Sequence, residues 1–277
     1  MPRVLRCGAY ALSLERPLIM GIVNVTPDSF SDGGRHAAFP DALAHARRLL
    51  EEGADIIDIG GESTRPGAPP VALDDERRRV LPVIESLAAA RVPISIDTQK
   101  PELMAEAVRA GASMVNDVNA LCAPGALEAV AGTSAGVCLM HKKGDPRTMQ
   151  QDPRYDDVVC EVRDFLAARV AAATRAGIAR ERLVVDPGFG FGKTLEHNLT
   201  LLRHLDAIAA LGVPVLAGLS RKSTLGRLTG RPIEERVYAG VAAALIAVDK
   251  GAALVRVHDV AATRDALAIW NAVRAAP

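Results

Sequence analysis

Eight short apolar runs, each followed by a longer segment of helical period, set the tightest limit on what this chain can fold into. The runs are 18–25 (LIMGIVNV), 55–60 (DIIDIG), 93–97 (PISID), 114–118 (MVNDV), 137–141 (VCLMH), 183–187 (LVVDP), 214–219 (PVLAGL) and 254–258 (LVRVH). Segments near 40–52, 74–90, 101–110, 125–131, 155–176, 196–211, 233–250 and 261–274 repeat apolar residues at steps of three and four, the spacing of one helix face. Asp41, Asp74 and Pro101 stand where helices would start, and Gly53, Gly111 and Gly177 where they would stop. Strand then helix, eight times in 277 residues, predicts an α/β fold: a (β/α)8 TIM barrel of ordinary length, one domain over 1–277. A doubly wound open sheet is the rival architecture. It ordinarily carries a GxGxxG turn after its first strand, and none stands here. The segment before residue 17 is a candidate hairpin closing the barrel bottom.

Charge narrows the function classes. Lys plus Arg (33) equals Asp plus Glu (33), so a general nucleic-acid or membrane-surface role gains no support. Any anion binding has to be local. No apolar run is long enough to cross a bilayer, and the N-terminus, MPRVLRCGAYALSLERP, lacks the apolar stretch of a secretory signal. Cys7, Cys122, Cys138 and Cys160 form no CxxC pair and no metal-ligand spacing with histidine. Scattered thiols of this kind fit a reducing compartment, so a cytoplasmic protein is expected.

In a barrel of this type the chemistry sits at the C-terminal ends of the strands. Read in order, those ends carry Asn24, then Glu62-Ser63-Thr64-Arg65, Asp97, Asn116-Asp117, His141, Asp186, Ser220-Arg221-Lys222, and Arg256 with His258. Several fall inside apolar runs, where a buried polar group without a partner costs about 1–3 kcal/mol. One acid at a strand end is as well explained by a helix cap as by a ligand. Asp97, Asp186, an amide and a lysine converging on one mouth favour the ligand. A carboxylate such as Asp186 can accept two hydrogen bonds from an amino-pyrimidine edge. Arg256 and His258, two apart in a strand, point to the same face and make a candidate anion site. The competing reading is an ion pair between Arg256 and an acid on a neighbouring strand. GFGFGK at 188–193 is glycine-rich but does not match the phosphate-cradling GxxxxGK[ST] pattern. Phe191 in it is a candidate aromatic wall. His141 reads as structural, and His36, His45, His197 and His204 as loop or helix-surface residues. A magnesium ion held by one or two oxygens and substrate phosphates would leave little trace in a sequence.

Eight motifs, NVTPDSFSDGG (24–34), DIGGESTRPGA (58–68), SIDT (95–98), NDV (116–118), LMHKKGDPRTMQ (139–150), DPGFGFGK (186–193), GLSRKS (218–223) and VRVHDV (255–260), resemble those of the dihydropteroate synthase family, in the family's order. The resemblance implies a homodimeric (β/α)8 barrel that joins p-aminobenzoate to 6-hydroxymethyl-7,8-dihydropterin pyrophosphate in folate synthesis. It assigns Asp97, Asn116, Val118, Met140, Asp186, Phe191 and Lys222 to the pterin, and Asn24, Arg65, Arg256 and His258 to the pyrophosphate. It places Phe30, Thr64, Pro66, Ser220 and Arg221 beside the p-aminobenzoate. Asn24 is the residue that would reach a magnesium ion, and Asn24, Arg65, Asp97, Lys222, Arg256 and His258 would carry the catalysis. The segments 26–34 and 63–69 would then order over the bound substrates and exclude water. Lys142-Lys143 depart from the family's usual neutral pair and bear on the pocket rim. A pterin-dependent methyltransferase barrel and a non-catalytic pterin-binding paralogue are the alternatives.

Overall fold

The computed structural model describes residues 4–25, 34–63, 68–145 and 148–276. Its centre is a closed barrel of eight parallel strands: β3 (Leu18–Asn24), β4 (Ile56–Gly60), β5 (Ile94–Asp97), β6 (Met114–Asp117), β7 (Gly136–Met140), β8 (Leu183–Asp186), β9 (Val215–Ala217) and β10 (Ala252–Val257). β10 pairs with both β9 and β3, which closes the ring. Every predicted run is a barrel strand.

These strands are buried on both faces, which is why they read as continuous apolar runs rather than alternating ones. Alternation decides what each face does. Ile19, Val23, Ile57, Ile59, Ile94, Ile96, Val115, Leu139, Val185 and Val255 point outward into the large core shared with the helices. Met20, Ile56, Met114, Cys138, Val184, Leu216 and Leu254 point inward and form a second, smaller core inside the ring.

The chain before β3 forms the expected hairpin, β1 (Val4–Cys7) against β2 (Tyr10–Ser13), antiparallel with Val4 opposite Ser13. Leu5 and Cys7 on β1 are fully buried and complete the inner core from below. The fit is close: a Cβ added at Gly136 of β7 would stand 2.7 Å from the Cys7 sulfur. Burial pushes the Cys7 thiol up to about 12, so it serves as a small apolar residue.

The helices are α1 (Gly34–Glu51), α2 (Leu73–Leu87), α3 (Pro101–Ala110), α4 (Ala126–Ala131), α5 (Val158–Arg175), α6 (Leu195–Arg203), α7 (Leu205–Ala209), α8 (Ser223–Thr229), α9 (Val237–Asp249) and α10 (Val260–Ala275). Pro101 opens α3 and Gly111 ends it in the left-handed conformation, as their chemistry dictates. Three expectations change. Asp41 lies inside α1, which begins at Gly34. Asp74 lies in the first turn of α2 rather than capping it, where its charge still complements the helix dipole. The segment 196–211 is two helices, broken at His204.

The plug generates a stability test. Leu5→Ala leaves a cavity beneath the inner core and is expected to lower the unfolding free energy by about 2–5 kcal/mol, read from urea denaturation. A change below about 0.5 kcal/mol would show that the hairpin is not part of the cooperative core.

Candidate active site

Above the apolar inner layer the same inward positions turn polar. Asn24, Asp58, Asp97, Asn116, Asp186 and Arg256 continue the parity of Met20, Ile56, Met114, Cys138, Val184 and Leu254. A closed ring therefore delivers them to one mouth. Gly60 and Gly218 occupy that layer without side chains, and a Cβ there would stand 3.5 Å from Asp97 and 3.8 Å from Asp186. The two glycines keep the floor open beside the acids.

Arg256 is the centre of the floor. Its Nε donates to Asp58 Oδ2 at 2.6 Å and its Nη2 to Asp97 Oδ2 at 2.9 Å. The competing sequence reading of Arg256 was an ion pair with a neighbouring strand. Arg256 does form ion pairs, but with acids one and two strands beyond its neighbour β3, on β4 and β5. Burial opposes the charge on Arg256, and the two carboxylates outweigh it, holding the group above the ordinary arginine range. Burial pushes Asp97 upward, with Arg256 opposing. His258, the other half of the candidate anion pair, takes a separate partner: its Nδ1 lies 3.0 Å from Ser220 Oγ.

Asp58 is the residue that sequence reasoning missed. It is fully buried, accepts from both Arg256 and Asn116 Nδ2 (3.0 Å), and keeps Oδ1 without a partner. An acid at the third position of IIDIG, inside an otherwise apolar run, is its only signal in the sequence.

On the other side of the mouth, Asp186 accepts from the Gly188 N–H at 2.7 Å through Oδ1. Burial raises its carboxyl, while that hydrogen bond and then Lys222 pull it back. Val118, Met140 and Phe191 meet as an apolar cluster, joined by Met149, which the sequence did not single out. Lys222 Nζ stands 4.2 Å from the centre of the Phe191 ring. Arg221, with its φ of 60°, turns its guanidinium to Asp259 at 2.7 Å. Lys142 reaches Gln99 at 3.2 Å, and Lys143 pairs with Glu161 at 3.0 Å on α5. Phe30, Thr64, Arg65 and Pro66, with most of segments 26–34 and 63–69, lie outside the described residues.

The glycine-rich turn that carries Phe191 is built on a buried cation, also missed. Lys193 Nζ lies 2.9 Å from His141 Nδ1, 2.9 Å from the Gly188 carbonyl and 3.1 Å from the Phe191 carbonyl. Three acceptors match the three donors of an ammonium. Burial still lowers the group to about 7, with Asp186 opposing. Gly188 and Gly192 are required here: both have positive φ, and a Cβ would stand 1.8 Å and 2.1 Å from the carbonyl oxygens of His141 and Lys143. His141 is thus structural, as expected.

Among the described residues no group of three or more His, Cys, Asp or Glu could hold a metal ion. The donor at hand is Asn24, half-buried at the end of β3 in register with Gly60, which is itself in register with Asp97. One amide oxygen, completed by phosphate oxygens and water, suits magnesium. The residues therefore fit an ion that arrives with a phosphorylated substrate.

A parallel closed barrel whose mouth combines carboxylates, an amide, cations and an aromatic wall defines an α/β-barrel enzyme for a planar, charged small molecule. Residues 20–258 match the family described as pterin binding enzyme. The dihydropteroate synthase of Escherichia coli (strain K12) is 49% identical over 267 residues, 96% of this chain and 95% of that one. The structure of Xanthomonas albilineans dihydropteroate synthase with 4-aminobenzoic acid superposes with a TM-score of 0.95 at 57% identity, covering 100% of both chains. That of the Burkholderia cenocepacia enzyme complexed with 7,8-dihydropteroate gives 0.91 at 54% identity, covering 99% of this chain and 97% of that one. The chain belongs to the dihydropteroate synthase family, transferases of folate biosynthesis.

The His141–Lys193 pair has a measurable consequence. Burial, and then Lys193, lower His141 to about 3. The folded chain binds fewer protons there than the unfolded chain does. This contribution to stability is therefore present above about 6.5 and lost as the pH falls toward about 3. A nitrogen-resolved imidazole titration should find Nδ1 unprotonated throughout the neutral range. Titration of His141 near 6.5 would show that the pair is not formed.

Proposed function

We propose that this chain condenses p-aminobenzoate with 6-hydroxymethyl-7,8-dihydropterin pyrophosphate, releasing pyrophosphate, at the mouth of its single barrel domain. The observation that carries the reading is the pairing of two unlike zones over one floor. The Val118–Met140–Phe191 cluster, with Asp186 and Asn116 on the adjacent strands, supports a pterin face. Arg256, held at the floor by Asp58 and Asp97, supports an anion end, to which Asn24 and His258 at the ends of the neighbouring strands β3 and β10 are assigned.

The roles follow from hydrogen-bonding capacity. Asp186, with Oδ1 already fixed by Gly188, accepts from the amino-pyrimidine edge of the pterin, and Lys222 donates to a ring acceptor while standing over Phe191. Arg256 keeps Nη1 and one Nη2 hydrogen beyond its two carboxylates, so it can hold the diphosphate without breaking either ion pair. His258 and Asn24 complete that grip, with Arg65 from segment 63–69. When bound, a magnesium ion neutralises charge on the leaving diphosphate. Departure of pyrophosphate leaves a cation at the exocyclic methylene, delocalised into the pterin. The amine of p-aminobenzoate, bordered by Phe30, Thr64, Pro66, Ser220 and Arg221, then attacks it to form the C–N bond, and the proton lost from nitrogen passes to the released pyrophosphate or to water. A neutral arylamine is already nucleophilic, so no strong base is required. Preorganised charge at the floor supplies the rate, as fixed electrostatics commonly do.

Two features support a homodimer. Tyr238 is 88% exposed and Ile246 49% exposed on α9, while Ile269 and Val273 are each 69% exposed on the adjacent α10. Large apolar side chains grouped on two packed helices are what a protein partner covers. Free thiols and, among the described residues, no helix long and apolar enough to cross a membrane agree with a cytoplasmic enzyme.

Purified protein, magnesium, the pterin pyrophosphate and p-aminobenzoate should yield dihydropteroate and pyrophosphate in equal amounts, stopping when magnesium or the amine is withheld. Tight binding of the pterin pyrophosphate without product would make the chain a non-catalytic paralogue. By light scattering the protein should have twice the chain's 29.2 kDa mass, and Tyr238→Glu with Ile246→Glu should halve it. A monomeric starting protein would overturn the dimer.

A further inference from the structure

We infer that Asp58 is a positioning residue that couples the two halves of the substrate site, fixing which edge of Asn116 and which edge of Arg256 face the bound pterin pyrophosphate. The inference rests on the function proposed above and concerns the same mouth. One oxygen, Asp58 Oδ2, receives Arg256 Nε at 2.6 Å and Asn116 Nδ2 at 3.0 Å. A carboxylate oxygen only accepts, so it selects the NH2 end of the Asn116 amide and turns Oδ1 away from itself. Asn116 thereby becomes an acceptor for a ligand N–H. The same oxygen pins Nε of Arg256 while Asp97 pins Nη2, which leaves the Nη1 edge for an anion.

A role in folding alone does not account for this acid. Asp58 has no exposed surface and its Oδ1 has no hydrogen-bond partner. Buried ion pairs are often matched or bettered in stability by apolar residues of similar volume. The neighbouring inward residues of β3 and β4, Ile22 and Ile56, show the apolar solution in the same ring. The positions that Asp58 joins lie on β6 and β10, the first assigned to the pterin and the second to its diphosphate. A single side chain touching both is placed to make binding of the two moieties interdependent.

The test uses the complete chain and titration calorimetry with the pterin pyrophosphate, a readout that does not require turnover. Asp58→Asn should weaken that binding by about 10-fold or more while the dissociation constant of p-aminobenzoate, titrated in the same way, stays within about two-fold. The exchange Asp58→Asn with Asn116→Asp keeps the net charge and restores an acid–amide pair, with the new amide able to accept from Arg256. It should recover binding to within about three-fold of the starting protein. Equal losses for both substrates, or an exchange no better than the single change, would overturn the inference. Should the single variant fail to fold, the unaltered protein decides: the Asn116 side-chain amide hydrogens should be protected from exchange with D2O, and rapid exchange would overturn it. Inactivity of the unaltered protein in the condensation assay would count against the proposed reaction alone, because the binding comparison stands apart from turnover.

Discussion

The side-chain parity of a closed parallel barrel is the constraint on which the rest of the molecule depends. Each strand alternates between the helix-facing core and the ring interior, and the interior has room for apolar packing only in its lower layer. Met20, Ile56, Met114, Cys138, Val184, Leu216 and Leu254 fill that layer, and the hairpin seals it with Leu5 and Cys7. Two residues further along the same strands the interior meets the mouth. The identical parity now presents Ile22, Asp58, Asn116, Met140, Asp186 and Arg256. The site is therefore the continuation of the core by other residue types. A one-residue slip of β4 would exchange Asp58 for Ile57 or Ile59.

How far the sequence revealed this depends on the distance over which each fact is encoded. Strand count, the start of α3 at Pro101 and its end at Gly111 are local, and they are legible in the sequence. Partners across the ring are not local. Arg256 meets Asp58 and Asp97 over 198 and 159 residues of chain, and no spacing rule predicts which acid faces it. Lys193 is a second such case: its partners, His141 and two turn carbonyls, converge only after β7 and β8 pair. Helix starts failed for a further reason: Asp41 is a good cap by type, but α1 continues N-terminal to it through Pro40.

The two sides of the mouth are stiffened in different ways. On the pterin side, the wall is a tight turn whose glycines let it lie against the carbonyls of His141 and Lys143, with Lys193 filling the space beneath. Asn198 Oδ1 accepts a further bond from the Gly190 N–H at 2.7 Å. Every one of these links is buried or half-buried, so Phe191 and Met140 stand on a scaffold that ligand binding need not reorganise. On the far side, Glu62 accepts from the Val71 N–H at 3.1 Å and from Lys100 at 2.6 Å, and Lys100 also pairs with buried Glu76. That network ties Glu62 and Val71, which flank segment 63–69, to each other and, through Lys100, to α2.

The acids around Arg256 change what it contributes to binding a diphosphate. An arginine facing water supplies a full unit of charge and five donors. Here two donors and much of the charge are committed to Asp58 and Asp97, so the remaining donors act by direction more than by net attraction. Any long-range pull on a polyanion at this mouth then rests on other cations around it, such as Lys222 beside Phe191. A guanidinium held from two sides cannot swing to follow its ligand, and a departing pyrophosphate gains nothing by dragging it along. Such a floor would favour charge separation over a fixed frame, where the donors are already in place when the carbon–oxygen bond breaks.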